Sequence, residues 1–318
     1  MIEKKRILIT AGGTATAWHM SNVIKNFFEG KIELHICDIN PKELVASSNN
    51  ADYFHQVPMI FDKDYRQEML ALLERENIDI IVPLIDWDLF TFSKDNADLL
   101  ERNILSTGPL LSTAELLSDK AKMAGFLQEN EIYTPKVYGQ KDVNPNEEYV
   151  IKPATGCGSK GFKVLKGKDL LEDLFVDENM IIQELCDGGK DEITAEVFKS
   201  NDEVRIFCRR RIETKEGVCT KMQVAQEPEI NDMLKKLVKA IEMPSAFCVQ
   251  FMKHRGHWNL IDCNLRIGAG TALTTAAGFQ LTRAFFANLL GEHIDDEWFK
   301  VDEKIKAVVR VYREEVMR

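Results

Sequence analysis

The sequence has 318 residues, with 41 Lys plus Arg against 51 Asp plus Glu, a formal net charge of −10. That length accommodates two or three lobes rather than one minimal core, and 45% hydrophobic with 29% charged residues excludes a disordered chain. The acidic excess argues against nucleic acid or an anionic membrane as a bulk partner, because both reward positive charge.

Lys4-Lys5-Arg6 ahead of an apolar run imitates a secretory leader, but the run stops at Thr10 and Gly12-Gly13 breaks it. A first strand at 6–10 is the better reading. Strands at 32–37, 53–57, 78–82 and 104–105 then alternate with helices at 18–28, 65–75 and 89–100. This order predicts an α/β, doubly wound parallel sheet, bounded at Gly108-Pro109 and so occupying 1–109. Helices at 113–117 and 119–130 follow. Beyond them short strands dominate, at 149–153, 162–165, 180–185, 192–199, 204–211, 218–224, 246–253 and 258–265. Apolar residues at 230, 234, 237, 238 and 241 make a one-faced helix over 230–241, and another is expected at 281–290. The second region is therefore α+β with a largely antiparallel sheet. No run approaches the ~18 apolar residues of a membrane span. Seven cysteines without a CxxC pair read as reduced thiols, which predicts a cytoplasmic protein.

Two stretches carry chemistry. In residues 150–161, Val-Ile-Lys-Pro-Ala-Thr-Gly-Cys-Gly-Ser-Lys-Gly, a strand delivers Lys152 to a loop with Gly156, Gly158 and Gly161. Such glycines let backbone N–H groups converge on an anion, and the lysine adds a point charge for phosphate. It is not a Walker loop; an ordinary turn is the competing reading. In residues 259–266, Asn-Leu-Ile-Asp-Cys-Asn-Leu-Arg, strand alternation puts Asp262 and Asn264 on one face. If the preceding hairpin has an odd loop centred on Gly256, Gln250 lies opposite Asp262, and three oxygen donors suit Mg²⁺ held jointly with phosphates. A two-residue turn at Arg255-Gly256 would put Ile261 there instead and disperse the cluster.

In order along the chain, these motifs resemble the ATP-grasp superfamily, particularly the synthetase halves of the carbamoyl-phosphate synthase large subunit and their single-copy relatives. The matching residues are Ser118-Asp-Lys120, the Lys152 strand and its glycine loop, Ile182-Gln-Glu-Leu185, Asp191-Glu-Ile-Thr-Ala-Glu196, Gly217-Val-Cys-Thr-Lys221, Val249-Gln-Phe251, and Asp262 to Arg266 with Gly268-Ala-Gly-Thr271. The resemblance implies a pre-ATP-grasp domain at 1–109 and an ATP-grasp domain of two subdomains: a small lobe at 110–185 and a C-terminal lobe at 186–318. It also implies roles. Lys120 and Lys152 would contact ATP phosphates, under a loop including Gly156, Gly158, Ser159 and Gly161. The backbone of Glu184 and Leu185 would read adenine, and Glu192 would accept the ribose hydroxyls. Gln250, Asp262 and Asn264 would hold Mg²⁺, with Mn²⁺ as a substitute. Lys152 and Arg266 would be the catalytic residues, Arg266 steadying the γ-phosphoryl group, while the turn 268–271 would hold the carboxylate or acyl phosphate.

The implied activity is an ATP-dependent carboxylate–amine ligase acting on small molecules, with homo-oligomers known among such relatives. The alternatives are phosphorylation of carbamate or bicarbonate on the same fold, or an ATP-binding module without catalysis. Three positions depart from the family pattern: Asp262 stands where Glu is usual, Leu265 where proline is frequent, and Cys219 where the carbamoyl-phosphate enzymes tend to carry histidine. With no second synthetase half, carbamoyl-phosphate synthesis itself is disfavoured. Remaining candidates have plainer readings. Gly12-Gly13-Thr14 with Asp38 lacks the GxGxxG pattern of a dinucleotide fold. His254 and His257 are expected to be solvated at a hairpin tip, Cys157 lacks a histidine base, and Arg209 and Arg211 share one face of what is expected to be a surface strand. Trp18 and His19 suit helix packing and a cleft equally.

Overall fold

The structure, a computed structural model, describes residues 4–156, 161–172, 177, 179–187, 189, 191–201 and 203–317. The amino-terminal part is a five-stranded parallel sheet of β1 (Lys5–Ile9), β2 (Ile32–Asp38), β3 (Tyr53–Gln56), β4 (Ile80–Val82) and β5 (Leu105–Ser106), in the order 3-2-1-4-5. Helix α1 (Ala15–Phe27) opens at Thr14, whose hydroxyl accepts from Ala17 N–H. Helix α2 (Tyr65–Arg75) covers the other face of the sheet with Met69, Leu72 and Leu73. The strand order reverses between β1 and β4, which opens a crevice at their carboxyl ends.

One expected helix is in fact two. The stretch 89–100 contains α3 (Asp86–Thr91) and α4 (Ala97–Glu101). Asn96 breaks it: its side chain accepts from Leu99 N–H to start the second helix and donates to Thr91 O to close the first.

Helices α5 (Leu111–Ser118) and α6 (Lys120–Glu129) lead to a small antiparallel sheet of β6 (Val137–Tyr138), β7 (Glu148–Pro153), β8 (Lys163–Lys166) and β9 (Met180–Glu184), ordered 6-9-7-8. Tyr149, Ile151, Leu170 of α7 (Gly167–Glu172) and Ile182 give this sheet a core of its own. The largest sheet has six antiparallel strands: β10 (Glu192–Ser200), β11 (Glu203–Lys215), β12 (Val218–Ala225), β13 (Ala246–His254), β14 (His257–Asn264) and β15 (Ala307–Val309). Helix α8 (Pro228–Ala240) packs on one face through Ile230, Leu234 and Leu237. Helices α9 (Thr271–Ala276) and α10 (Leu281–Leu289) complete the lobe. No pattern in the sequence had announced β15, α7 or β6. Among the described residues no helix is long and apolar enough to cross a membrane.

The amino-terminal sheet and the large lobe share one core. Ile7, Ile9, Met20, Ile24, Leu34 and Ile36 pack with Phe198, Phe207, Ile267 and the α10 residues Leu281, Phe285 and Phe286. This docking holds the β1–β4 crevice in a fixed place opposite the large sheet.

Gly12 is required by a close approach. Its N–H donates to Cys37 O, and a Cβ there would sit 2.4 Å from Ile36 Cγ2. Gly12→Ala should therefore destabilise the protein by about 1–3 kcal/mol, read as a lower urea midpoint with an unchanged m-value.

Candidate active site

Alternation along the central strands separates an apolar face from a polar one. Ile193, Ala195, Val197, Cys208, Val249, Phe251 and Cys263 point into the core beneath α8. Thr194, Glu196, Arg209, Gln250, Asp262 and Asn264 belong to the opposite face, with Thr194 paired to both Arg209 and Gln250.

Gln250 does lie opposite Asp262, but not through an odd loop. The hairpin closes with a two-residue turn, Arg255 and Gly256 at φ +50° and +83°, in the type I′ pattern, and His254 faces His257. That turn alone would have put Ile261 opposite Gln250. Instead Phe251 pairs with Leu260 and Gln250 with Asp262, so Ile261 is an extra residue in a β-bulge that resets the register. Asn264 Nδ2 donates to Asp262 Oδ2 at 3.1 Å, fixing the amide so that its own oxygen remains an acceptor. One carboxylate and two amide oxygens form a hard donor set of low charge, which fits Mg²⁺ shared with a polyphosphate.

Lys152 reaches toward this face from the small sheet. Burial lowers its pKa from 10.5 to about 8, with Lys120 acting in the same direction and Asp262 opposing. Lys120 itself lies at the start of α6, whose cap Asp119 accepts from Ala121 and Lys122. Its Nζ donates to Gly156 O at 3.0 Å and its backbone N–H to Ala154 O at 2.9 Å, tying the helix to the glycine loop. Gly156 and Gly161 have φ of +111° and +78°, the left-handed region glycine tolerates. Gly158, Ser159 and Cys157 lie outside the described residues.

At the end of β9, Glu184 N–H donates to Lys136 O, and the Glu184 carboxylate meets Arg255 and, at 3.1 Å, His254 Nε2. His254 is therefore not solvated as expected: it is buried between Glu184 and Asp187, and only His257 is at the surface, 2.7 Å from Glu229. Leu185 follows directly. Glu192 shares its carboxylate with Arg211 at 2.6 Å; burial raises its pKa and Arg211 opposes the rise.

The arginine strand is also not a surface strand. Arg209 is 3% exposed, 2.9 Å from Glu196 Oε1, while Glu196 Oε2 accepts from Thr271 at 2.5 Å. The guanidinium lies against Gly270, leaving no room there for a Cβ, and its Nε and Nη1 meet no hydrogen-bond acceptor among the described residues. Arg310, just beyond β15, donates to Ala269 O. Inside the turn 268–271, Thr271 and Leu273 N–H groups bond Gly268 and Gly270 oxygens, so the positive potential at this turn comes chiefly from guanidinium groups. Sequence alternation pointed to the Arg209 face; nothing in the sequence pointed to Arg310.

Arg266 crosses to the amino-terminal domain, where Asp86 at the head of α3 holds its Nε at 2.9 Å. Behind Asp86, buried Asp88 accepts from Thr10 and Tyr65 at 2.6 Å each, and burial raises its pKa. The first glycine turn is not an anion cradle: Asp38 Oδ2 accepts from Gly13 N–H at 2.6 Å and occupies the place a phosphate would need. His19 packs against Thr282 and Thr275, and burial takes its pKa to about 4.

Comparison with known proteins accords with this geometry. Residues 117–270 match the family model of the ATP-grasp domain, and residues 7–105 match that of the PylC-like N-terminal domain. Among solved structures, N5-carboxyaminoimidazole synthetase from Staphylococcus aureus superposes with a TM-score of 0.73 at 13% identity, covering 93% of this chain and 80% of that one. The biotin carboxylase domain of 2-oxoglutarate carboxylase from Hydrogenobacter thermophilus, in complex with MgADP, ADP and bicarbonate, gives 0.75 at 16%, covering 96% and 73%. L-amino acid ligase from Bacillus licheniformis gives 0.70 at 15%, covering 91% and 75%. At such identities the likeness establishes the fold. No curated protein matches the sequence.

The buried Arg209–Glu196 pair gives the site a stability signature. Arg209→Met leaves Glu196 without its countercharge and should cost about 3–5 kcal/mol at neutral pH. Because burial raises the Glu196 pKa, part of that loss should be recovered as pH falls and the carboxyl protonates; urea melts at pH 7 and pH 5 measure both effects.

Proposed function

Because the chain belongs to the ATP-grasp superfamily, with a PylC-like domain ahead of the grasp, we propose that it is an ATP-dependent ligase that activates a small-molecule carboxylate as an acyl phosphate and joins it to an amine. The observation that carries this reading is the convergence of Lys152 and Asp262 from two different sheets, with Lys120 beside them. A partly buried ammonium within electrostatic reach of the Asp262 carboxylate is an arrangement with positive charge to offer a phosphate and oxygen to offer a cation.

In this reading Lys152 and Lys120 neutralise phosphate oxygens of ATP, while Gln250, Asp262 and Asn264 hold magnesium or manganese. When bound, the metal would supply positive charge that offsets the charge on the phosphate oxygens. Leu185 N–H is the backbone donor for adenine, since Glu184 N–H is already given to Lys136 O. Glu192 accepts the ribose hydroxyls alongside its partner Arg211. Arg266, steadied by Asp86, stabilises charge on the γ-phosphoryl group as a substrate carboxylate oxygen attacks phosphorus and ADP leaves. Arg209 and Arg310, against the turn 268–271, keep the substrate carboxylate at the floor. The amine then attacks the acyl carbon, phosphate departs, and the nitrogen loses a proton.

The direct test is an ADP-release screen over pairs of carboxylates and amines, with mass analysis of the product. An amide formed with ADP supports ligation. ADP released only with bicarbonate supports carbonate or carbamate phosphorylation instead, and nucleotide binding without stimulation by any pair supports a non-catalytic module. Asp262→Asn should lower metal-dependent turnover at least about a hundredfold with an unchanged circular dichroism spectrum.

Lys152 sets a pH dependence. Its folded pKa, about 8, lies below the ordinary 10.5, so protonating it as pH drops through that window opposes folding. A bound triphosphate favours the protonated form, so above pH 8 nucleotide binding takes up a proton. The ATP dissociation constant should rise up to roughly tenfold per pH unit there. In Lys152→Met this slope should vanish, as measured by calorimetric titration between pH 7 and 10.

A further inference from the structure

A second group of ligating side chains lies away from the cleft, on the α2 side of the amino-terminal sheet. Leu34 and Ile36 of β2 face the core shared with α1, so His35 points the other way, as does Cys37 beneath α2. His35 is 1% exposed. Its Nδ1 is 3.0 Å from Nε2 of His55 on β3, with the rings within 7° of parallel. Its Nε2 is 3.2 Å from Glu33 Oε1. Glu76, at the C-terminal end of α2, brings a carboxylate to the same spot: one ligand atom each from His35, His55 and Glu76 lie within 4.8 Å of one another.

We propose that His35, His55 and Glu76 form a binding site for a divalent transition-metal ion of the zinc type. Two imidazole nitrogens and one carboxylate, with His55 and Glu76 partly open to solvent, make a three-ligand set with room for water in a fourth position. Glu33 supplies the orienting partner that metal-bound histidines commonly have: by accepting from Nε2–H of His35 it leaves the Nδ1 lone pair for the ion. His55 then needs only to carry its proton on Nδ1 rather than Nε2, a change of tautomer with no proton lost. Tetrahedral zinc with bonds of about 2.0–2.1 Å holds two nitrogens about 3.3–3.4 Å apart, so the pair opens by a few tenths of an ångström. Arg75 occupies Glu76 Oε1 at 2.9 Å, and the other carboxylate oxygen is left for the metal. The α2 carbonyl terminus adds negative potential. The site joins β2, the edge strand β3 and α2, and its ligands are distinct from the Gln250–Asp262–Asn264 set, so it acts on stability rather than on phosphoryl transfer.

The test uses untagged full-length protein, stripped with chelator, kept reduced, and titrated with Zn²⁺ and Co²⁺. One equivalent should bind with micromolar affinity or tighter, raising the melting temperature, and the Co²⁺ spectrum should lack thiolate charge transfer. His55→Gln and Glu76→Gln should each weaken binding at least about tenfold, and Glu33→Gln roughly tenfold to a hundredfold through orientation of His35 alone. Asp262→Asn should leave Zn²⁺ affinity unchanged. In the wild-type protein, histidine nitrogen spectra should show Nδ1 of His35 and Nε2 of His55 as the metal-bound atoms, a readout independent of any variant. Binding no tighter than millimolar, equal affinity in the His55→Gln/Glu76→Gln double variant, or unperturbed His35 and His55 nitrogens would each overturn the site.

Discussion

Side chains alternate across the six-stranded sheet, and the molecule depends on keeping the two resulting faces unmixed. One face buries Ile193, Val197, Val249 and Phe251 under α8; the other carries Glu196, Arg209, Gln250 and Asp262. A slip of one residue in any strand would exchange apolar for charged groups. Charge on the polar face is held where water is scarce, and opposite charges are paired there, Arg209 with Glu196 and Arg211 with Glu192, while Thr271 donates to Glu196.

That face works only with a wall opposite it. The parallel-sheet domain provides the wall by sharing a continuous apolar core with α10 rather than by a flexible tether. The polar link between Arg266 and Asp86 is one of several across this boundary, and nearby Asp88, Thr10 and Tyr65 are hydrogen-bonded to one another within the domain. The crevice at the strand-order reversal thus contributes to the large lobe's cleft, although Asp38 closes its own glycine turn to phosphate.

Much of this was legible in the sequence because periodicity is a local property. Strand–helix alternation over the first hundred residues gave the parallel sheet, and the period-two pattern gave the shared face of Asp262 and Asn264. Non-local geometry was not legible. The bulge at Ile261 restores a register that the Arg255-Gly256 turn would have broken, and no residue type marks it. Nor does composition say that His254 is clasped by Glu184 and Asp187, since those partners arrive from β9 and the segment after it. Apolar residues at both ends of 89–100 suit one helix, and the two hydrogen bonds by which Asn96 divides it are side-chain contacts that such spacing does not register. The strand β15 is only three residues long and pairs with β12 from far along the chain, which leaves periodicity nothing to detect.

The position of Arg310 has a consequence for how the protein is made. On the ribosome the parallel-sheet domain emerges whole, able to bury its own α2-side core, whereas Arg209 is synthesised long before Arg310 reaches the turn at Ala269. A nascent chain that ends short of residue 307 has made the strands carrying Arg209 and Glu196 but lacks β15 and the Arg310 contact. Translation order therefore makes the arginine contact at Ala269 one of the last parts of the cleft to assemble.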